Sequence, residues 1–362
     1  MSTSSGWRGR RVMVTGHTGF KGSWLSLWLH ALGAEVTGLA LPPPTEPSLF
    51  EAARISELVD HVEGDIRDFT TVRAAVEQAK PEIVFHLAAQ PLVRASYEQP
   101  IETYATNVMG TVHVMEAVRQ IGRVRALICI TSDKCYENYE RDRPYRETDP
   151  MGGYDPYSSS KGCAELAIAA YRRSYFSAGS GPLLASVRAG NVIGGGDWAL
   201  DRLVPDLVHA FERGEAPAIR SPAAVRPWQH VLEALGGYLL IAERLMAQDV
   251  AFADAWNFGP SDDDARPVAW IVEKMRAAWG GTRDFTPQLG QVLHEAGLLR
   301  LDCSKARTAL GWQPVLPLET ALDWIVDWHQ QLGRGADPRA LTLRQIAAYA
   351  ERSPALSAWM AT

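Results

Sequence analysis

Short apolar runs alternate with stretches of helical period through the first half of this 362-residue chain. Arg11-Val12-Met13-Val14-Thr15 reads as a strand, residues 20–32 as an amphipathic helix and residues 35–41 as a second strand, together one strand–helix–strand unit. The rhythm predicts further strands at 59–63, 82–87, 126–131 and 183–188, with helices at 69–79, 101–121 and 154–177. Apolar runs of strand length that alternate with helices belong to a parallel sheet covered on both faces, a doubly wound α/β architecture. After Arg188 the rhythm breaks into Gly194-Gly195-Gly196 and proline-containing segments, then returns between about 226 and 258. Residues 1–190 with that return are expected to form the sheet domain, and 191–225 with 259–362 a smaller mixed α/β C-terminal part that binds the substrate.

Gly16, Gly19 and Gly22 follow the first strand and open the first helix, in Gly16-His17-Thr18-Gly19-Phe20-Lys21-Gly22. Bare backbone at a helix N-terminus lets a pyrophosphate reach unpaired N–H groups, so this turn points to a dinucleotide. Tyr157 and Lys161 stand one helical turn apart and share a face. An ammonium there favours a phenolate, drawing the tyrosine from its usual pKa of about 10 toward the range near 7 that a working base needs. Beside a nicotinamide, such a phenolate takes the proton of an alcohol whose hydride leaves. Ser132-Asp133-Lys134 follows the fifth strand, where open α/β sheets place their ligands. It sets a potential acid beside a potential base. Neighbours along an extended strand point to opposite faces, so Asp133 and Lys134 can serve one substrate only if the strand ends before them.

In kind and order these motifs resemble the extended short-chain dehydrogenase/reductases, from Val12 to about Trp328. The glycine spacing, Leu87-Ala88-Ala89-Gln90 after the fourth strand, Asn107 in the next helix, and Tyr157 with Lys161 carry the likeness. It implies a Rossmann-type domain holding NAD between Gly16, His17, Gly19, Phe20, Lys21 and Gly22, with Asp65 and Ile66 toward the adenine. Leu87, Ala88, Ala89, Gln90, Asn107, Thr131, Tyr157 and Lys161 complete the implied cofactor site.

Ser132-Asp133-Lys134 is similar to the nucleotide-sugar 4,6-dehydratases, and its lysine in third place resembles their CDP-glucose branch. The segment from Gly194 to Trp198, and Asp201-Arg202-Leu203-Val204-Pro205, resemble the same branch; Arg226-Pro227-Trp228-Gln229-His230-Val231 resembles the family's Arg-x-Trp-x-x-Val. The implied reaction oxidises C4 of a CDP-glucose substrate, which acidifies the C5 proton and lets the C6 hydroxyl leave. Tyr157 would deprotonate the C4 hydroxyl, Ser132 hydrogen-bond the same oxygen, Asp133 protonate the departing hydroxyl and Lys134 act as base at C5, the hydride returning to C6. Arg94, Ser132, Asn191, Arg202, Leu203 and Arg226 are implied in substrate binding, the arginines because a planar guanidinium suits phosphate. A homodimer through helices 101–121 and 154–177 is also implied.

Two departures stand out. The second strand ends in Ala40-Leu41-Pro42-Pro43-Pro44, without an acid for the ribose hydroxyls or an arginine for a 2′-phosphate. The residues alone thus leave NAD and NADP open, and the resemblance implies NAD. His17 stands where smaller residues are common and is expected to crowd the pyrophosphate. A dTDP-glucose or GDP-mannose dehydratase and a nucleotide-sugar 4-epimerase are the nearest rivals, with a non-catalytic NAD-binding regulator from another class. An epimerase needs no acid and base beyond its oxidation machinery, and a regulator does not need Tyr157, Lys161 and Asp133 together.

Composition narrows the partners. With 46% apolar and 22% charged residues the chain can build a large core, and a net charge of −6 without a basic block argues against a nucleic-acid partner. The longest apolar stretch, residues 24–41, is broken by Ser26, His30 and Glu35, which argues against a membrane span. Residues 1–11 lack the apolar centre of a secretory signal, so a cytoplasmic protein is expected. Cys129, Cys135, Cys163 and Cys303 have neither metal-ligand spacing nor a disulfide-framework pattern, which implies reduced thiols and no metal.

Overall fold

The computed structural model describes residues 6–177, 181–281, 286–287 and 298–359. Strands β1 (Arg11–Thr15), β2 (Glu35–Ala40), β3 (Asp60–Glu63), β4 (Ile83–His86), β5 (Ala126–Ile130) and β6 (Leu183–Arg188) lie in the order β6-β5-β4-β1-β2-β3, and Ala255–Asn257 adds an edge strand beside β6. All pairings in this seven-stranded sheet are parallel. The strand order reverses between β1 and β4, which opens the crevice where such sheets take ligands. Every residue of β4, β5 and β6 is buried, as uninterrupted apolar runs require when helices cover both faces. Along β1, Val12 and Val14 enter one core with Trp24, Trp28 and Phe85, while Met13 enters the other with Val72, Val84 and Val118. Strand alternation thus divides one segment between two cores.

The helix expected over 101–121 is a composite. Pro100–Tyr104 and Gly110–Ile121 are α-helical, and Ala105–Met109 between them is a wider π turn that carries Asn107. Such turns displace one residue from the regular ladder and recur at functional sites.

Beyond β6, the helices Leu203–Glu212, Val268–Trp279 and Leu318–Gly333 enclose a separate core of Val204, Leu207, Ile219, Ile271, Leu322 and Ile325. The last long helix, Pro338–Arg352, does not join it. Its Leu341, Ile346 and Tyr349 belong to the large core, and the Tyr349 ring meets Trp28 edge-on at 5.7 Å.

Glu233, buried on helix Val231–Met246, fastens this C-terminal region. Its Oε1 accepts from Val315 N at 2.8 Å and Leu316 N at 2.6 Å, and its Oε2 accepts from the Tyr349 hydroxyl at 2.9 Å. Burial outweighs these donors and pushes its pKa up to about 7. The folded chain therefore holds this proton more tightly than the unfolded one. Its stabilising contribution is fully present below the ordinary glutamate value and is lost as pH rises through about 7. Glu233→Gln should flatten that loss in thermal denaturation followed from pH 4 to 8, and Glu233→Ala, which strands two N–H groups and a hydroxyl, should cost about 3 kcal/mol.

Candidate active site

β5 stops at Ile130, and the chain turns through Thr131 and Ser132 into a single 3₁₀ turn, Asp133–Cys135. Ser132 caps it, its Oγ accepting from Lys134 N at 3.2 Å and donating to Asp133 Oδ1 at 3.0 Å. The condition for Asp133 and Lys134 to serve one site is met, because neither lies in the strand. Asp133 is 2% exposed and its Oδ2 has no hydrogen-bond partner among the described residues, whereas Lys134 is only partly buried.

Asp155 caps the helix Pro156–Ser174, its Oδ1 accepting from Ser158 N at 2.9 Å and its Oδ2 from Ser158 Oγ at 2.6 Å; Pro156 supplies the first helical residue. This start fixes the phase that buries both Tyr157 and Lys161. The expected fall of the tyrosine pKa is not found. Burial pushes Tyr157 up to about 12, with Asp133 and Asp155 adding to the rise while the Ser132 hydroxyl and the Arg202 cation pull down. Lys161 is drawn down to about 8 by burial, against Glu165. Loss of hydration penalises both charged forms more than these neighbours favour them.

Beneath the pair lies a buried network. Glu165 pairs with Arg188 at 2.7 Å and accepts from Thr131 Oγ1 at 2.5 Å and Ser186 Oγ at 2.9 Å. Burial would raise the Glu165 pKa, yet Arg188 and these hydroxyls hold it below the ordinary value. Arg188 also donates to the Tyr136 hydroxyl at 2.7 Å, which donates to Asn257 Oδ1 at 2.7 Å. The network joins β5, β6, the edge strand and the Tyr157 helix. Thr131, expected at the cofactor, spends its hydroxyl here.

At the crevice, Gly16 has φ +74°, and a Cβ on it would come within 2.7 Å of Ala88 N and Cα. The glycine turn and the loop after β4 therefore touch backbone to backbone. Leu87 N donates to Thr15 O and Ala88 N to Thr15 Oγ1. Asn107 Oδ1 accepts from Gln90 N at 2.8 Å, and its Nδ2 donates to Gln90 O at 3.1 Å and Ser160 Oγ at 2.9 Å. The π turn thus ties the β4 loop to the Tyr157 helix. Lys21 is drawn down to about 8 by burial, Arg202 and Lys161, with Asp133 and Asp197 pulling up, which places its ammonium near Asp133 of the turn and Lys161 of the helix. Helix Phe20–Ala31 begins at Gly19 with no side-chain cap and no acid in its first turn, a start that fits a pyrophosphate.

Other residues are differently employed. The buried His17 ring packs on Gly38 of β2, where a Cβ would approach within 2.3 Å, and its Nε2 hydrogen-bonds His61 Nδ1 at 2.7 Å. The imidazole is thus directed at β2 and β3, which corrects the expected crowding of the pyrophosphate. Asp65 commits its carboxylate to Arg67, at 2.8 Å to Nε and 2.5 Å to Nη2, rather than leaving it open for adenine. Ile66 is buried against Gly110.

On the substrate side, Arg202 is held by buried Asp197 at 2.8 Å just before Leu203 opens its helix, and Arg94 pairs with Asp201 at 3.0 Å. Asn191 adopts a left-handed conformation, φ +48°. Arg226 stands directly opposite Arg266 in the antiparallel pair Val225–Pro227 and Ala265–Pro267. Like charges opposed in a ladder are unfavourable unless an anion relieves them. The sequence reading missed Arg266, whose pairing is non-local, and Tyr238, a fully buried residue whose hydroxyl has no hydrogen-bond partner among the described residues and feels Asp133 and Tyr157. Among the described residues, no group of three or more His, Cys, Asp or Glu is placed to hold a metal, and no helix is long and apolar enough to cross a membrane.

Residues 13–324 match the model of the GDP-mannose 4,6 dehydratase family. The CDP-glucose 4,6-dehydratase of Salmonella typhimurium is 56% identical over 95% of this chain and 97% of its own. Among solved structures, MoeE5 in complex with UDP-glucose and NAD aligns over 89% of this chain and 99% of its own, with a TM-score of 0.73 and 26% identity. DesIV, a dTDP-glucose 4,6-dehydratase from Streptomyces venezuelae, shares the fold over 91% of this chain and 99% of its own, with a TM-score of 0.76 and 21% identity. A family match across most of the chain, together with the acid-and-base turn beside the Tyr157 helix, leads to one assignment: this chain belongs to the GDP-mannose 4,6 dehydratase family, a nucleotide-sugar dehydratase group within the extended short-chain dehydrogenase/reductases.

Proposed function

We propose that this chain dehydrates CDP-D-glucose to CDP-4-dehydro-6-deoxy-D-glucose and water, with NAD held at the glycine turn. The observation that carries the reading is the capped turn after β5, in which Asp133, whose charge acts on Tyr157, and Lys134 both leave the alternation of the strand. An epimerase has no use for that pair. The 56% identity to the Salmonella enzyme supports CDP-glucose as the substrate. Gly16, Gly19, Phe20, Lys21 and Gly22 would hold the NAD pyrophosphate, with Ala88, Ala89, Gln90 and Lys161 along the rest. When bound, NAD supplies a reversible hydride acceptor.

The chain's own residues manage protons. Ser132 hydrogen-bonds the sugar C4 oxygen and Tyr157, as the phenolate that the Ser132 hydroxyl and the Arg202 cation favour, accepts its proton. A C4 ketone acidifies the C5 proton, which Lys134 removes, while Asp133 gives a proton to the C6 oxygen as it departs. Arg226, with Arg266 opposite, and Arg94 and Arg202 face the diphosphate; Asn191 joins them. The small-core elements form the nucleotide-sugar part, helix Pro338–Arg352 excepted.

The assembly proposed is a homodimer. Ile101 is 83% and Met109 48% exposed where they line a shallow apolar cavity with Pro100, Tyr104, Val108 and Cys163, and Leu166, 60% exposed, stands on the same helix as Cys163. The pair Ile101→Asp and Leu166→Glu should halve the mass measured by sedimentation, and an unchanged mass would remove this face from the interface.

Incubation with CDP-, dTDP- and UDP-glucose and GDP-mannose, without added reductant, tests the substrate: mass spectrometry should find loss of one water from CDP-glucose alone. Asp133→Asn should still reduce its bound cofactor yet release water at least about 100-fold more slowly. Equal rates for this variant and the parent would remove Asp133 from its role.

A further inference from the structure

We propose that Gly190 and Gln229 form a seat that positions the Asp133 carboxyl, an inference that rests on the dehydratase reading above. The carboxyl lies against the Gly190 backbone. A Cβ on Gly190 would come within 1.8 Å of Asp133 Oδ2, 2.0 Å of Cγ and 2.5 Å of Oδ1, so no larger residue fits without displacing the acid. Oδ1 is engaged by Ser132, whereas Oδ2 is buried without a partner among the described residues. Packing on Gly190, rather than a second hydrogen bond, therefore sets where Oδ2 sits.

Gly190 itself lies beyond the ladder. β6 ends at Arg188 and the neighbouring edge strand at Asn257, and Phe258 N donates to Arg188 O at 2.8 Å as the last regular rung. Past that point Gln229 takes over. Its Nε2 donates to Phe258 O at 2.9 Å and Gly190 O at 3.3 Å, and its backbone N donates to Asn191 O at 3.2 Å. Gln229 is 3% exposed, so these bonds face little competition from water. They also restrain Asn191, whose left-handed backbone needs its surroundings to hold it. The side chain at 229 thus fixes the floor under an acid located in the turn after β5.

Oxidation at C4 does not require Asp133, but departure of the C6 hydroxyl does. A disturbed seat should therefore slow elimination while sparing oxidation. Gly190→Ala and Gln229→Met, as full chains with NAD and CDP-glucose, are to be followed by absorbance at 340 nm for reduced cofactor and by mass for water loss, with thermal midpoints measured alongside. Gly190→Ala should release water about 100-fold more slowly and Gln229→Met about tenfold, both through kcat with KM little changed, and with reduced cofactor accumulating. If oxidation and elimination fall in step, or water is released at the parental rate, the seat is disproved. Should Gly190→Ala not fold, Gln229→Met decides the matter by the same criteria. A parent that takes no water from CDP-glucose would instead overturn the functional reading itself.

Discussion

A β-strand presents successive side chains to opposite faces, and the chemistry proposed for this chain needs two successive side chains in one site. That geometric conflict is resolved where β5 stops. Ser132 accepts the Lys134 N–H and closes a 3₁₀ turn, so that Asp133 and Lys134 leave the strand's alternation together. Everything else around the site holds that turn in register with the Tyr157 helix. The Asp155 cap sets where the helix begins, Asn107 ties it to the β4 loop, and Glu165 with Arg188 locks its next turn to β5 and β6. The last pair is buried on both sides, and removing either partner would leave an uncompensated charge, a loss on the order of 3–5 kcal/mol.

Tyr157, Lys161 and Asp133 are buried, and the electrostatics of the site follow from that. Burial raises Tyr157 and lowers Lys161 and Lys21, so each group moves toward its neutral form. The tyrosine does not begin as a phenolate prepared by one lysine. It must surrender its own proton before it can accept the alcohol's, and the Ser132 hydroxyl and the Arg202 cation favour the phenolate that results, against burial, Asp133 and Asp155. The lysines, drawn toward neutral pH, are for the same reason sensitive to any charge that enters the site.

Much of the sheet was legible along the chain because its strands are uninterrupted apolar runs, and the turn Gly16 to Gly22 stood in the one context that gives such a motif meaning. Local information ended where partners are distant. The sequence reading singled out no helix at Pro338–Arg352 and placed that stretch with the substrate-binding part, whereas it joins the large core; Trp28 and Gly236, which meet Tyr349, lie far back in the sequence. His17 was visible as an unusual residue in a glycine turn, yet its direction depends on Gly38 and His61. Spacing placed Tyr157 and Lys161 on one face but could not supply the sign of the tyrosine's shift, because the depth of burial is a tertiary property. Arg266 and Gln229 carry no local signal, being set opposite Arg226 and beneath Gly190 by pairing between remote segments.

The central claim is that oxidation at one sugar carbon is undone at another within a single turnover. CDP-glucose carrying deuterium at C4 tests it most directly. The account predicts that the label appears at C6 of the dehydrated product, without added reductant. Deuterium lost to solvent, or recovered in released reduced cofactor, would contradict it.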